Sequence, residues 1–201
     1  MENIALERRG FFKKTILMAG KAAVEFQKGM SPAPEKKVTG RRKDFSLRPP
    51  GAVTERTFLE LCDRCDDCLK ACPHKSIRRS TLKGMEGTPV ILPREDPCAL
   101  CQDLPCIKAC ATGALVSVEK ENVAMGVAQI NKKKCFAWDG QNCQFCSVKC
   151  PVPDALYLDD FRPVIREEKC AGCGLCEQAC ATINNSAPIR VIPSRFMQND
   201  N

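Results

Sequence analysis

The chain has 201 residues, 44% hydrophobic but only 5% aromatic, and its sixteen cysteines are counted in that hydrophobic share. That leaves room for one or two small domains and little material for an ordinary apolar core. The net charge of +7 is uneven: residues 1–45 carry 11 Lys and Arg against 5 Asp and Glu, and residues 46–201 carry 20 against 19, which excludes the basic folded face that a nucleic-acid partner needs.

Along the chain, residues 1–30 read as an export leader. Arg8-Arg9 is followed by Phe11, Phe12 and Lys13, as in twin-arginine signals. Residues 15–26 are apolar but carry Lys21 and Glu25, too short and too charged for a bilayer span of about 20 apolar residues. No clean cleavage site follows, because Ser31-Pro32-Ala33 runs into Pro34. Residues 31–51 are rich in Pro, Gly and basic residues and are expected to form an extended linker. A short helix is expected over residues 54–61, with Thr54 at its N-cap. The remainder, 52–193, alternates cysteine runs with short strands, and 194–201 is a polar tail.

The cysteines form four runs of four. Cys62, Cys65, Cys68 and Cys72 have the spacing C-x2-C-x2-C-x3-C, closed by Pro73. Cys98, Cys101, Cys106 and Cys110 repeat it with two extra residues in the middle gap. Cys135, Cys143, Cys146 and Cys150 lengthen the first gap and are closed by Pro151. Cys170, Cys173, Cys176 and Cys180 return to the regular spacing. Tight C-x2-C turns aim several thiolates at one cubane, and the fourth cysteine reaches a neighbouring one. Zinc sites favour two C-x2-C knuckles on a longer spacer, and three thiolates within seven residues would crowd one small ion. Disulfides within such triplets would be strained. The runs therefore predict four [4Fe–4S] clusters with all sixteen cysteines as iron ligands. Metal sites then serve as cofactor and core together, so the apoprotein should fold poorly. Each oxidised cubane with its thiolates adds roughly two negative charges, making the loaded domain acidic.

Strands are expected over residues 88–92, 114–118, 126–130, 155–158 and 188–192, each bounded by turn residues. Helices are expected over 104–111 and 175–181, ending near the last cysteine of a run. Gly172 and Gly174 should let the fourth run pass close to a cluster. The predicted fold is α+β and ferredoxin-like, with two pseudo-repeated two-cluster units in one cysteine-rich domain. No catalytic constellation accompanies the cysteines, and no nucleotide or flavin fingerprint occurs. His74 reads as a surface residue after a cluster loop, Trp138 and Tyr157 as packing residues, and Asp159-Asp160 and Glu167-Glu168 as solvated turns.

Several stretches resemble the NapG/MauM group of ferredoxin-type proteins: the Arg8-Arg9 leader, residues 47–52 (LRPPGA), Asp96-Pro97-Cys98 through Asp103-Leu104-Pro105-Cys106, residues 124–128 (AMGVA), residues 170–174 (CAGCG) and residues 189–193 (IRVIP). The resemblance implies a non-catalytic periplasmic electron carrier exported folded by the twin-arginine translocase. It would stand between a membrane quinol-oxidising ferredoxin-type protein and a periplasmic reductase of the nitrate-reductase type, or a cytochrome. It would stay at the membrane, without spanning it, through its partner or an uncleaved leader. The alternatives are a cytoplasmic four-cluster β-type subunit of a molybdopterin oxidoreductase or hydrogenase, and a maturation factor.

Two pairings of the runs are open. The consecutive one joins the first run with the second and the third with the fourth, and lets residues 189–192 pair with 126–130. The nested one is the expectation, because Leu104-Pro105-Cys106 resembles the corresponding run of β subunits of the dimethyl-sulfoxide-reductase class, where nesting is the family arrangement. Cys110 would then join Cys135, Cys143 and Cys146, and Cys72 would join Cys170, Cys173 and Cys176.

Overall fold

The computed structural model describes residues 45–197. The leader with Arg8, Arg9, Phe11, Phe12 and Lys13, and most of the linker, lie outside the described residues. Five short helices are α1 (Glu55–Leu61), α2 (Asp67–Ala71), α3 (Pro105–Lys108), α4 (Phe145–Lys149) and α5 (Leu175–Ile183). Six strands are β1 (Ile77–Arg79), β2 (Pro89–Ile91), β3 (Gly126–Ile130), β4 (Leu156–Asp159), β5 (Arg162–Ile165) and β6 (Ile189–Pro193). They pair antiparallel in three two-stranded sheets, β1–β2, β3–β6 and β4–β5.

The same succession occurs twice. A cysteine run, a hairpin and a second run are enclosed by flanking segments that pair with each other. In the first half the hairpin is β1–β2, and the flanks meet in the bridge between Ala52 and Leu115. In the second half the hairpin is β4–β5, and the flanks are β3 and β6, with Gly126 opposite Pro193 and Ile130 opposite Ile189. Asp160 and Phe161 close the β4–β5 hairpin with φ of 45° and 61°, a two-residue turn whose twist matches that of the flanking strands. On β6 the period of two is plain: Ile189 and Val191 are buried and Arg190 between them is exposed.

The end of the expected linker is core instead. Ser46, Leu47, Pro49 and Pro50 are fully buried. Leu47 exchanges two backbone hydrogen bonds with Ile91, each 2.8 Å long, so this segment adds a short third partner beside the β1–β2 hairpin. Arg48 is held there at 6% exposure. Its guanidinium donates to Glu55 (Nε to Oε2, 2.9 Å), to Thr88 Oγ1 (2.8 Å) and to the Pro89 carbonyl (3.0 Å), and it lies 4.4 Å from the centre of the Phe58 ring. Composition marks 46–51 as linker because Pro and Gly break regular structure. Here the prolines serve as apolar filling on an extended segment that makes few ladder bonds.

Residues 114–118 do not form the expected strand. Leu115 bridges Ala52, with Val116 donating its N–H to the Gly51 carbonyl at 2.8 Å and Val53 donating to the Ala114 carbonyl at 3.2 Å, but no strand forms there. Thr54 sits at the N-cap of α1 without a side-chain cap bond, its hydroxyl lying 3.0 Å from that of Thr57. Helix α3 is shorter than expected, and α2 and α4 are helices that periodicity does not announce. Four or five residues are too few to show a period, and these helices exist because of what they hold.

Candidate metal centres

Each run folds alike around its third cysteine. Cys68, Cys106, Cys146 and Cys176 are buried within α2, α3, α4 and α5. Cys72 and Cys150 stand just past the ends of α2 and α4 in extended conformation, with ψ of 109° and 119°. The proline after each of them disfavours helical geometry at the residue before it. Where Ala181 replaces that proline, α5 runs on through Cys180 to Ile183. In the first and third runs the fourth cysteine is thus set beyond the helix that seats the third.

The structure gathers the sixteen thiols round four small cavities. Site I is lined by Cys62, Cys65, Cys68 and Cys110. Site II has Cys98, Cys101, Cys106 and Cys72. Site III has Cys170, Cys173, Cys176 and Cys150, and site IV has Cys135, Cys143, Cys146 and Cys180. Three cysteines come from one run and the fourth from its partner. The expected nesting is therefore wrong: Cys72 joins the second run and not the fourth, and Cys110 joins the first and not the third. The reason is reach. Cys72 and Cys98 flank the short β1–β2 hairpin, which folds the first two runs onto each other, as β4–β5 does for the last two.

The donor set suits a cluster and not a single ion. All sixteen cysteines are free thiols, and among the described residues no three His, Cys, Asp or Glu side chains converge closely enough for one metal ion. Burial, with neighbouring thiols adding to it, pushes Cys68 and Cys146 up to about 12. Burial likewise pushes Cys98 up to about 12 and Cys173 to about 11, although backbone N–H groups of Leu100 and Leu175 oppose it. Each site holds at least one buried cysteine, and thiolates gathered in part away from water need a cationic centre between them. Around Cys110 burial also raises the thiol, but the Thr112 hydroxyl and the N–H groups of Leu115, Thr112 and Ala114 outweigh it and leave it lowered. The Ala128 N–H lies 3.5 Å from Cys170 Sγ, and that of Leu115 3.4 Å from Cys110 Sγ, the kind of contact that tunes a cluster potential.

Neighbouring thiols link site I to II (Cys68 and Cys106), II to III (Cys98 and Cys173) and III to IV (Cys176 and Cys146). Sites I and II share the first two runs, and sites III and IV the last two. Between the pairs, the Cys98 N–H donates to the Cys173 carbonyl at 2.9 Å. The fourth run threads this interior junction. Gly172 and Gly174 have φ of 69° and 92° there, and a Cβ would lie 2.4 Å from the Gly126 carbonyl oxygen or from Pro93 Cβ. Arg64 and Asp66 take the same left-handed conformation at the matching positions of the first run, where the loop is at the surface.

The remaining expected positions fall outside the cavities or at their mouths. His74 is exposed and borders site II. Trp138 and Tyr157 line no cysteine cavity. Trp138 donates its indole N–H to Pro163 and carries Lys132 over its ring at 4.1 Å, and Tyr157 carries Arg166 at 4.6 Å. Asp159, Asp160, Glu167 and Glu168 are exposed. Sequence reasoning missed the apolar lids, chiefly Pro50 and Ile91 at site II and Val191 at site III, and Glu177. Burial raises the Glu177 carboxyl above its ordinary value, with the Val191 N–H bond at 2.8 Å opposing it. That bond ties α5 to β6.

Residues 61–114 match the family model of the 4Fe-4S dicluster domain, and this stretch contains the eight cysteines of sites I and II and no others. Over 204 residues the chain is 33% identical to the ferredoxin-type protein NapG of Escherichia coli, covering 92% of this chain and 85% of that one. The chain belongs to the NapG/MauM family of ferredoxin-type proteins. The methylamine utilization ferredoxin-type protein MauM of Methylorubrum extorquens is 37% identical over 164 residues, 74% of this chain and 73% of that one. NapG of Haemophilus influenzae is 32% identical over 93% of this chain and 72% of its own. No solved structure gives a significant match. Family and dicluster domain together make this an iron–sulfur protein of electron transfer with [4Fe–4S] chemistry. Among the described residues no helix is long and apolar enough to cross a membrane.

Proposed function

We propose that the chain carries four [4Fe–4S] clusters, one in each site, and conducts electrons along them in series as two repeated two-cluster units. The observation that carries this reading is the Cys98–Cys173 hydrogen bond, which joins the inner sites of the two halves. When bound, each cluster supplies a one-electron couple. The protein's part is to fix the thiolates in place, exclude water with the apolar lids, and aim N–H groups at sulfur so that little rearrangement accompanies transfer. In this reading the chain carries electrons and has no catalytic role of its own.

The Arg8-Arg9 leader, the family resemblance and the need to load clusters before export support a periplasmic carrier delivered folded by the twin-arginine translocase. Its partners would be a membrane quinol-oxidising ferredoxin-type protein and a periplasmic reductase or cytochrome. Anaerobic iron and sulfide analysis with EPR of the reduced protein tests the cofactor reading. About sixteen of each per chain are expected for four cubanes, and stoichiometric zinc without a reduced signal would overturn it. Fractionation of cells expressing R8K/R9K tests the location: loaded protein should stay in the cytoplasm, and unchanged export would mean that the leader serves another purpose.

A further inference from the structure

Resting on the series reading, the two ends of the line differ in chemistry. At site I the stretch 60–70 holds Glu60, Asp63, Asp66 and Asp67 against Arg64 and Lys70. Asp66 pairs with Arg79, and Asp67 with Lys70 at 3.1 Å. That end is polar, and most of its carboxylates are engaged.

Site IV opens on an apolar surface. Phe145 lines the site yet is 54% exposed, and Val148, one turn on along α4, is 77% exposed. Residues three apart share a helix face. Ile183 of α5, which also lines the site, is 36% exposed. Lysines flank this patch along the chain. The stretch 132–149 carries Lys132, Lys133, Lys134 and Lys149 against a single carboxylate, Asp139. Lys133, Lys134 and Lys149 are exposed and form no ion pair among the described residues. The Lys134 carbonyl accepts the Asn184 side-chain N–H at 3.0 Å, and Asn184 lines site IV, so the lysine turn belongs to the rim of that site.

We propose that the face around site IV docks a redox protein whose own redox group lies beneath an apolar patch ringed by carboxylates. Lysines free of internal partners steer an acidic surface towards this end. Apolar side chains over both redox groups then let the surfaces meet without an intervening water layer, which shortens the path to the site IV cysteines.

The test is stopped-flow oxidation of the reduced holo-protein by an acidic and by a basic c-type cytochrome of similar potential. At about 20 mM salt the acidic acceptor should react at least about tenfold faster, and most of that advantage should vanish at about 200 mM. K133E/K134E/K149E should remove about tenfold of the rate with the acidic acceptor. E60K/D67K at the other end should change it less than about twofold. The docking proposal is overturned if the lysine reversals leave the rate within about twofold, or if E60K/D67K causes the larger drop. If the triple variant fails to load clusters, V148D decides: on a side chain already largely exposed, it should slow the acidic acceptor at both salt concentrations, and an unchanged rate overturns the proposal. Iron content and the reduced EPR signal of the wild type separate the outcomes, since their absence defeats the four-cluster reading itself.

Discussion

The backbone N–H of Cys98 lies 2.9 Å from the carbonyl oxygen of Cys173. One residue belongs to the second cysteine run and the other to the fourth, 75 positions later, yet each lines the inner site of its half. This contact joins the two pairs of sites through sites II and III.

Cys72 distinguishes the two pairings in solution. Because it lines site II, C72S should alter the same reduced EPR component as C101S and leave the one altered by C173S intact. Shared perturbation with C173S would restore the nested arrangement.

The interior passage of the fourth run can be probed with two alanines. Gly172→Ala would place a Cβ against the Gly126 backbone at 2.4–2.5 Å in a left-handed conformation. The expected cost is at least about 3 kcal/mol, the upper range for local backbone strain, with parallel loss of cluster content at site III. Gly140→Ala meets nothing within 4 Å and should cost about 1 kcal/mol from its positive φ alone. Chemical unfolding of the loaded proteins measures the difference.

Arg48 is the buried cation that fastens residues 46–51 to the core. Arg48→Ala should lower stability by about 3–5 kcal/mol, because it strands the partly buried Glu55 and the Thr88 and Pro89 acceptors. Arg48→Lys should recover less than half, since an ammonium cannot reproduce the forked contact with Glu55 and the stacking on Phe58. Thermal unfolding under anaerobic conditions checks both.

The buried thiols give the apoprotein a pH dependence that the loaded protein lacks. Cys68, Cys98 and Cys146 are raised from 9.0 to about 12 by burial. A group whose folded value is raised stabilises the fold fully below its unfolded value and loses that contribution as pH climbs towards the folded one. Any structure kept by chelator-stripped protein should therefore melt away between about pH 9 and about pH 12. Iron-bound thiolates do not titrate there, so circular dichroism of the loaded form should stay flat over the same window.

Much of this was legible in the sequence because cluster ligation is local. Three thiolates within seven residues can reach one centre only through tight turns, so the spacing alone announced the runs, and Gly172 and Gly174 marked where one had to be especially close. The strands β3 and β6 were also readable, but their pairing belonged to the consecutive scheme and was decided only by the fold. The helices α2 and α4 were not, since they are one turn long and owe their existence to the cysteine each one seats.

The sequence alone established that sixteen cysteines fall into four runs with cluster-like spacing, because a thiol spacing is a local property. Tertiary structure decided where each fourth cysteine goes, that residues 46–51 are core, and that the sites run from a polar end at Cys65 to an apolar, lysine-rimmed end at Phe145. These depend on contacts between segments far apart in the chain. The spacing around Cys72 does not say which run it joins, and the hairpin that brings Cys98 to the same site settles the choice.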